Sequence, residues 1–405
     1  MDHGHFQYNS VSLGFALWSF FYMTKGQPPP KRRNATDDND VNFQNCMIGA
    51  LLFCLALNFK QMTLYYAPAI FAYLLGRCCS GVDVKVCTSR FVKLAVTVIG
   101  VFALHWFPFL WYSPSKEILE IGGIHATTTV GERLRHVLHR IFPFQRGLFE
   151  GKVSNLWCAL ATKPISIRNR IPQGYQPIVA LVVTLILILP ACVKLFQVGR
   201  SRDRRRRNLA DNHQNDHNYN HNNHHDEVAH NDWRYLLWGT SSTSLAFFLA
   251  SFQVHEKSIL MVLAPVSLLL LEDFDFVIWF SLVSTWTLWP LLCVDRLQVA
   301  YICTTIIFIM IVWLCRPELT QKNDGMILCS SVFDQSILMK CIPLLSLSAM
   351  VGLHVLELVV NAPPNLPDLF PVIWSICGCA MFCISWLVTI FNLHFKEKER
   401  KIKTS

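Results

Sequence analysis

An all-α polytopic membrane protein is the fold class this sequence predicts, and three observations carry that expectation. Of its 405 residues, 52% are hydrophobic and only 16% are charged, against about 25% charged in ordinary soluble domains. The apolar residues, Phe and Trp prominent among them, gather in runs broken by short polar clusters, which is the layout of a chain that crosses a bilayer repeatedly. The basic residues behind the formal charge of +9 sit in the loops between those runs. They therefore report topology, and they form no continuous groove for nucleic acid.

A thin bilayer, with about 27 Å of hydrocarbon, takes roughly 18 helical residues. On that measure about eleven transmembrane or re-entrant helices are expected. The first covers 10–23, bounded by Lys25 and the prolines 28 to 30; the second, 43–58, starts after an acidic run and stops at Lys60. The third, 62–76, is short and rich in Tyr65, Tyr66 and Pro68, and the fourth, 94–112, follows the basic stretch 77–93. The fifth, 176–197, and the sixth, 234–252, flank the Arg-rich stretch that begins near Gly199. The seventh and eighth, 258–271 and 276–293, are separated only by Glu272 to Asp275. The last three, 297–315, 338–360 and 369–393, are divided by the polar stretch 316–337 and by the proline-rich turn at Pro363. The segments starting at 10, 43, 62 and 258 are short enough to be re-entrant or interfacial instead.

The loops alternate between two sides. One set, 24–42, 77–93, 198–233, 272–275, 316–337 and the tail from 394, carries 21 Lys and Arg, whereas the short loops of the other set hold only Lys60, Lys257 and Arg296. Short-loop Lys and Arg favour the cytosol, so the first set is cytosolic. The long loop 113–175, with amphipathic segments and nine further basic residues, then falls on the lumenal side. A single membrane domain over 1–405 is expected, with 24–42 and 199–232 as disordered cytosolic linkers and 394–405 as a cytosolic tail. The sequon Asn34-Ala35-Thr36 should stay unmodified. Six histidines from His213 to His230 read as a solvated spacer. Most of the 15 cysteines lie in apolar runs, where a thiol acts as a small hydrophobe; no paired CxxC spacing supports zinc, and no metal or cofactor is expected. Met1 is followed at once by a polar run, so no signal peptide is read.

Four polar clusters fall at lumenal helix ends: Asp2 to Asn9, Lys60-Gln61, the run Arg146 to Cys158, and Gln253-Val254-His255-Glu256-Lys257. Charges beside hydrocarbon tend to persist where they are paired or used. The bland alternatives are a polar helix–helix turn for His255-Glu256-Lys257, snorkelling for Lys60 and a solvated face for the basic loop residues. Arg and Lys beside a membrane also suit phosphate oxygens. Glu357, inside the tenth helix, reads as a bundle-facing structural pair.

The segments His5-Phe6-Gln7-Tyr8-Asn9, Lys60-Gln61-Met62, Arg140-Ile141-Phe142-Pro143-Phe144 leading to Arg146-Gly147-Leu148-Phe149-Glu150, Phe252 through Leu260, and Pro363 through Leu369 resemble, in order, the endoplasmic reticulum glucosyltransferases of the dolichol-linked oligosaccharide pathway. Asp2 to Val11 and Arg146 to Asn155 look like the sister that adds the first glucose rather than the second. The resemblance implies a GT-C glycosyltransferase-like helical bundle in the endoplasmic reticulum membrane with its active face lumenal. It implies an inverting, metal-free transfer of glucose from dolichyl phosphate glucose to a dolichyl pyrophosphate oligosaccharide. Asp2, His5, Gln7, Lys60, Gln61, Arg146, Glu150, Gln253, His255, Glu256 and Lys257 are then the candidates for donor or acceptor binding. Inversion needs a general base opposite the leaving phosphate. Family members carry that base in an earlier lumenal loop, so the expectation is that it lies upstream of Met1 and that this chain alone does not transfer glucose. The alternatives are the second-glucose sister and a non-catalytic polytopic protein of the same pathway. A transporter would show paired repeats and mid-helix charges; this sequence has no internal repeat, and Glu357 is the one exception to charges lying at helix ends.

Overall fold

Each of the eleven apolar runs becomes helix in the computed structural model, which describes residues 9–25, 35–80, 83–111, 131–132, 134–135, 138, 148, 153–162, 166–213, 221–321 and 337–394. Among the described residues the regular structure is helical throughout. The α-helices are α1 (Asn9–Thr24), α2 (Ala35–Phe59), α3 (Ala67–Cys78), α4 (Val84–Trp111), α5 (Leu156–Leu160), α6 (Gln176–His213), α7 (His221–Ala250), α8 (Ile259–Ser267), α9 (Phe274–Trp286), α10 (Trp289–Val294), α11 (Gln298–Gln321), α12 (Ile337–Val359) and α13 (Leu369–His394). A 3-10 segment, Gln61–Tyr66, leads into α3. Five stretches are long and apolar enough to cross a membrane: 84–108, 173–202, 298–315, 341–359 and 369–394. Their outward faces carry large apolar side chains such as Ile99, Leu104, Ile186 and Trp313, all more than half exposed. So much exposed apolar surface on this chain fits lipid better than water.

One difference from the sequence reading concerns the linkers. Within the stretches read as linkers, 35–42, 199–213 and 221–232 are helical. Arg and Ala are strong helix formers, and adding residues to an existing helix avoids the cost of nucleation. The propagating helices therefore outrun the apolar runs that hydropathy detects.

The chain divides into two compact units, 1–147 with 196–233, and 148–195 with 234–405. In the first, α1 lies on α2, where Ser12 Oγ donates to Ala56 O (2.9 Å) and Ser19 Oγ to Gly49 O (2.8 Å). A Cβ at Gly76 would run into the Phe196 carbonyl oxygen, and one at Gly199 into that of Tyr73. Paired glycines thus let α3 and α6 approach to backbone contact. At the same end, buried Arg202 pairs with buried Asp232 at 3.0 Å. Its guanidinium also donates to Tyr73 Oη (2.8 Å), Met23 O (2.9 Å) and Thr24 O (3.2 Å). Those carbonyls end α1 and have no partner within the helix, so one side chain caps α1 and ties it to α3, α6 and α7.

The second unit is built around aromatic rings. Trp238 lies 5.5 Å from Phe276, Phe280 lies 5.9 Å from Phe382, and Phe248 meets Phe382 at 5.2 Å. The run Thr240 to Ser244 is fully buried. Its hydroxyls partly bond back along α7, Thr240 Oγ1 to Leu236 O (2.6 Å) and Ser244 Oγ to Thr240 O (2.7 Å), as hydroxyls in an apolar surround do. Arg234 pairs with Glu272 at 2.9 Å, and Asp273 caps α9 by accepting from the Phe276 N–H at 3.2 Å.

Candidate functional site

The polar turn between α7 and α8 holds the densest set of predicted site residues. After Ala250 the chain bends, and Gln253 adopts φ +62°, a left-handed conformation that costs a non-glycine residue about 1 kcal/mol or more. This reversal lets His255 enter an extended conformation (φ −100°, ψ 150°) and start the 3-10 turn Glu256–Ser258, from which α8 continues.

His255 Nδ1 lies 3.3 Å from the Lys257 backbone N and 3.1 Å from Glu256 Oε2. A bare Nδ1 accepts from Lys257 N–H; a protonated one donates to the carboxylate. Either way Nδ1 is occupied inside the turn, and Nε2 is left as the nitrogen without a partner among the described residues. The imidazole is about half exposed and Glu256 about a quarter. The Lys257 ammonium makes no ion pair among the described residues, although Glu256 is next to it in sequence. An imidazole nitrogen and an ammonium are therefore presented together, which suits an anionic oxygen ligand.

The turn is braced by α5. Asn155 caps α5 by accepting from Cys158 N–H (2.9 Å), which aims buried Trp157 at α7. There its indole Nε1–H donates to Ala250 O at 2.8 Å, three residues before Gln253. Leu148, Trp157 and Ala180 form a buried cluster with Phe252 packed against it. On the other flank Ser375 Oγ donates to Val153 O, and Ser154 lies against Gly378 of α13, which also meets Thr287 at the α9–α10 junction. Burial pushes the Cys158 thiol up; the Val153 backbone opposes this and the Glu256 charge adds to it. The C-terminal end of α7, the N-terminal end of α13 and the α9–α10 junction thus meet around α5, at one end of the unit.

Val153 to Cys158 and the turn Gln253 to Lys257 come together, while Arg146 and Glu150, like Asp2, His5 and Gln7, lie outside the described residues. Lys60 and Gln61 belong to the first unit, where extended Lys60 (φ −155°) precedes the 3-10 segment and its carbonyl accepts from Thr63 Oγ1 at 3.1 Å. Sequence reasoning did not single out Trp157 and Asn155. Their signal was membership of the polar run Arg146 to Cys158, with a cap-forming residue and a large aromatic at the start of a five-residue helix. Among the described residues no group of three His, Cys, Asp or Glu side chains is placed to hold a metal ion.

Comparison with known proteins gives the same direction as the motifs. Residues 1–389 match the ALG6, ALG8 glycosyltransferase family. The chain is 33% identical, over 97% of its length and 66% of the relative's, to the dolichyl pyrophosphate Man9GlcNAc2 alpha-1,3-glucosyltransferase of Mus musculus. It is 34% identical to the Gallus gallus protein of that name over the same shares. To the Saccharomyces cerevisiae protein of that name it is 28% identical, over 97% of this chain and 63% of the relative. The chain thus spans just under two thirds of the length of these relatives.

Proposed function

We propose, of a chain that belongs to the ALG6, ALG8 glycosyltransferase family, that it serves the transfer of the first glucose from dolichyl phosphate glucose to the lipid-linked Man9GlcNAc2 oligosaccharide. It does so in the endoplasmic reticulum membrane, with its polar turn facing the lumen. In an inverting transfer, the acceptor hydroxyl oxygen bonds to glucose C1 while the C1–O bond to phosphate breaks. The electron pair leaves with dolichyl phosphate, and the hydroxyl proton passes to a base.

The observation that carries the reading is the turn itself, with Nδ1 of His255 engaged inward and, among the described residues, no partner that takes up Nε2 or the Lys257 ammonium. A protonated Nε2 donates to a phosphate oxygen, and the ammonium offsets the charge that grows on that phosphate as the C1–O bond opens. Glu256 holds the imidazole in orientation through Nδ1 when that nitrogen is protonated. The exposed apolar helix faces suit the polyprenyl chains of donor and acceptor.

The test is binding of radiolabelled dolichyl phosphate glucose to the purified chain in liposomes, with dolichyl phosphate as competitor. A hydrogen bond to a charged group contributes about 1.5–3 kcal/mol, so His255→Ala and Lys257→Ala should each weaken donor binding by about 10- to 150-fold. Equal affinities in wild type and both variants would return the turn to a merely structural role.

Orientation is tested separately, by placing glycosylation sequons in successive loops in microsomes. Sequons near 125 should be modified, and those near 210 should not. The reverse pattern would place the polar turn on the cytosolic side and remove it from lumenal chemistry.

A further inference from the structure

A second cluster in the same unit combines aromatic faces with polar tips. Trp289 at the start of α10 donates through Nε1 to Glu357 Oε2 in the last turn of α12, at 2.8 Å. Tyr301 Oη, in the first turns of α11, lies 3.3 Å from His354 Nε2. The rings are packed on one another: Trp289 to His354 at 4.6 Å, nearly perpendicular; Trp289 to Tyr301 at 5.3 Å; and His354 to Trp374 of α13 at 4.7 Å. Behind them Trp374 meets Trp286 at 4.0 Å; both are 1% exposed, and neither indole N–H has an acceptor among the described residues.

Glu357 is thus paired, as the sequence suggested, but only through one oxygen. Trp289, Tyr301, His354 and Glu357 are all partly exposed, and the second carboxylate oxygen has no partner among the described residues. A charge near the end of an apolar helix is costly to keep for packing alone, and aromatic walls with a few convergent polar groups are the usual anatomy of a small-ligand site.

The chemistry of the cluster narrows what it takes. A phosphate is disfavoured by Glu357. A quaternary ammonium needs an open cage, whereas these rings touch one another and offer only their outer faces and edges. A neutral, hydroxyl-rich ring fits: its C–H face lies on an aromatic surface, and its hydroxyls donate to the open Glu357 oxygen and meet His354 and Tyr301. The location agrees. Ser375, next to Trp374, bonds to Val153, and Thr287, two residues before Trp289, lies against Gly378, so the cluster sits at the same end of the unit as the turn Gln253 to Lys257.

We propose that Trp289, Tyr301, His354 and Glu357 form a binding subsite for a neutral hexose ring. It rests on the glucosyltransferase reading for the source of that hexose, either a mannose of the acceptor glycan or the glucose of the donor. The test uses the purified full chain in lipid nanodiscs, with Man9GlcNAc2 oligosaccharide freed of its lipid and dolichyl phosphate glucose as separate probes, read by saturation-transfer NMR and by competition. Glu357→Gln keeps an acceptor for the Trp289 N–H, and Trp289→Phe keeps the ring packing; circular dichroism and thermal unfolding check that each variant is folded.

Both variants should weaken one probe at least tenfold. Loss of the oligosaccharide assigns the subsite to the acceptor, and loss of the lipid donor assigns it to the donor glucose. Wild-type affinities for both probes in both variants, or no saccharide-dependent signal from the wild type, would overturn the subsite. His255→Ala separates the two proposals: it should lose donor phosphate binding and leave the oligosaccharide untouched. A wild-type chain that binds oligosaccharide but no donor would sink the glucosyltransferase reading while leaving the hexose subsite standing.

Discussion

Asp232→Ala should lower folding stability by about 3–5 kcal/mol, the usual cost of leaving one member of a buried ion pair alone. Arg202 would keep its hydrogen bonds to Tyr73 and to the Met23 and Thr24 carbonyls but would carry a buried, uncompensated charge. Thermal unfolding of the detergent-solubilised chain, followed by circular dichroism, should show a lower midpoint. Arg202→Met combined with Asp232→Leu should recover part of the loss, since removing both charges avoids the orphan. The double variant should still fall short of the wild type, because the cap on the α1 carbonyls goes with Arg202. An Asp232→Ala midpoint equal to wild type would mean that Arg202 is neutralised from elsewhere and that Asp232 does not hold the first unit together.

Trp157→Ala should act on the turn Gln253 to Lys257 although Trp157 itself lies outside it. The indole is buried in the cluster with Leu148 and Ala180, and its N–H bonds to Ala250 O. Truncating a buried Trp costs about 3–5 kcal/mol. It also frees the end of α7 just before the strained Gln253, and a hydrogen bond weakens steeply once the His255 and Lys257 donors are displaced from their geometry. Donor affinity should therefore drop at least tenfold in Trp157→Ala. Trp157→Phe separates packing from the hydrogen bond: it fills most of the space but leaves Ala250 O unpaired, and an intermediate loss is expected. Wild-type donor affinity in Trp157→Phe would show that the N–H bond does not hold the turn.

The order and approximate bounds of the apolar helices were legible in the sequence, because partition into a bilayer depends on a sum over neighbouring residues; their number was not, since eleven apolar runs were read and thirteen α-helices lie among the described residues. The location of the polar turn was legible for the same reason, since Gln253 to Lys257 interrupts two apolar runs. Helix ends were less so. The Arg-rich continuation of α6 and the Asn- and His-rich start of α7 have no apolar signal, and their helical state depends on propagation from the adjoining apolar helix. Glu357 was recognised as a paired carboxylate, yet its partner Trp289, 68 residues away, was not.

By itself the sequence determined that the chain is a helical membrane protein of this family and where its polar turns interrupt the apolar runs. Hydropathy and contiguous motifs are properties of local stretches, read without knowing what those stretches touch. Only the tertiary structure decided that Arg202 closes on Asp232 while capping α1, that Trp157 reaches across 93 residues to Ala250, and that Trp289, Tyr301, His354 and Glu357 share one end of the bundle. Each of those contacts depends on how distant helices are rotated and spaced against one another. That geometry follows from the fit of many side chains packed together.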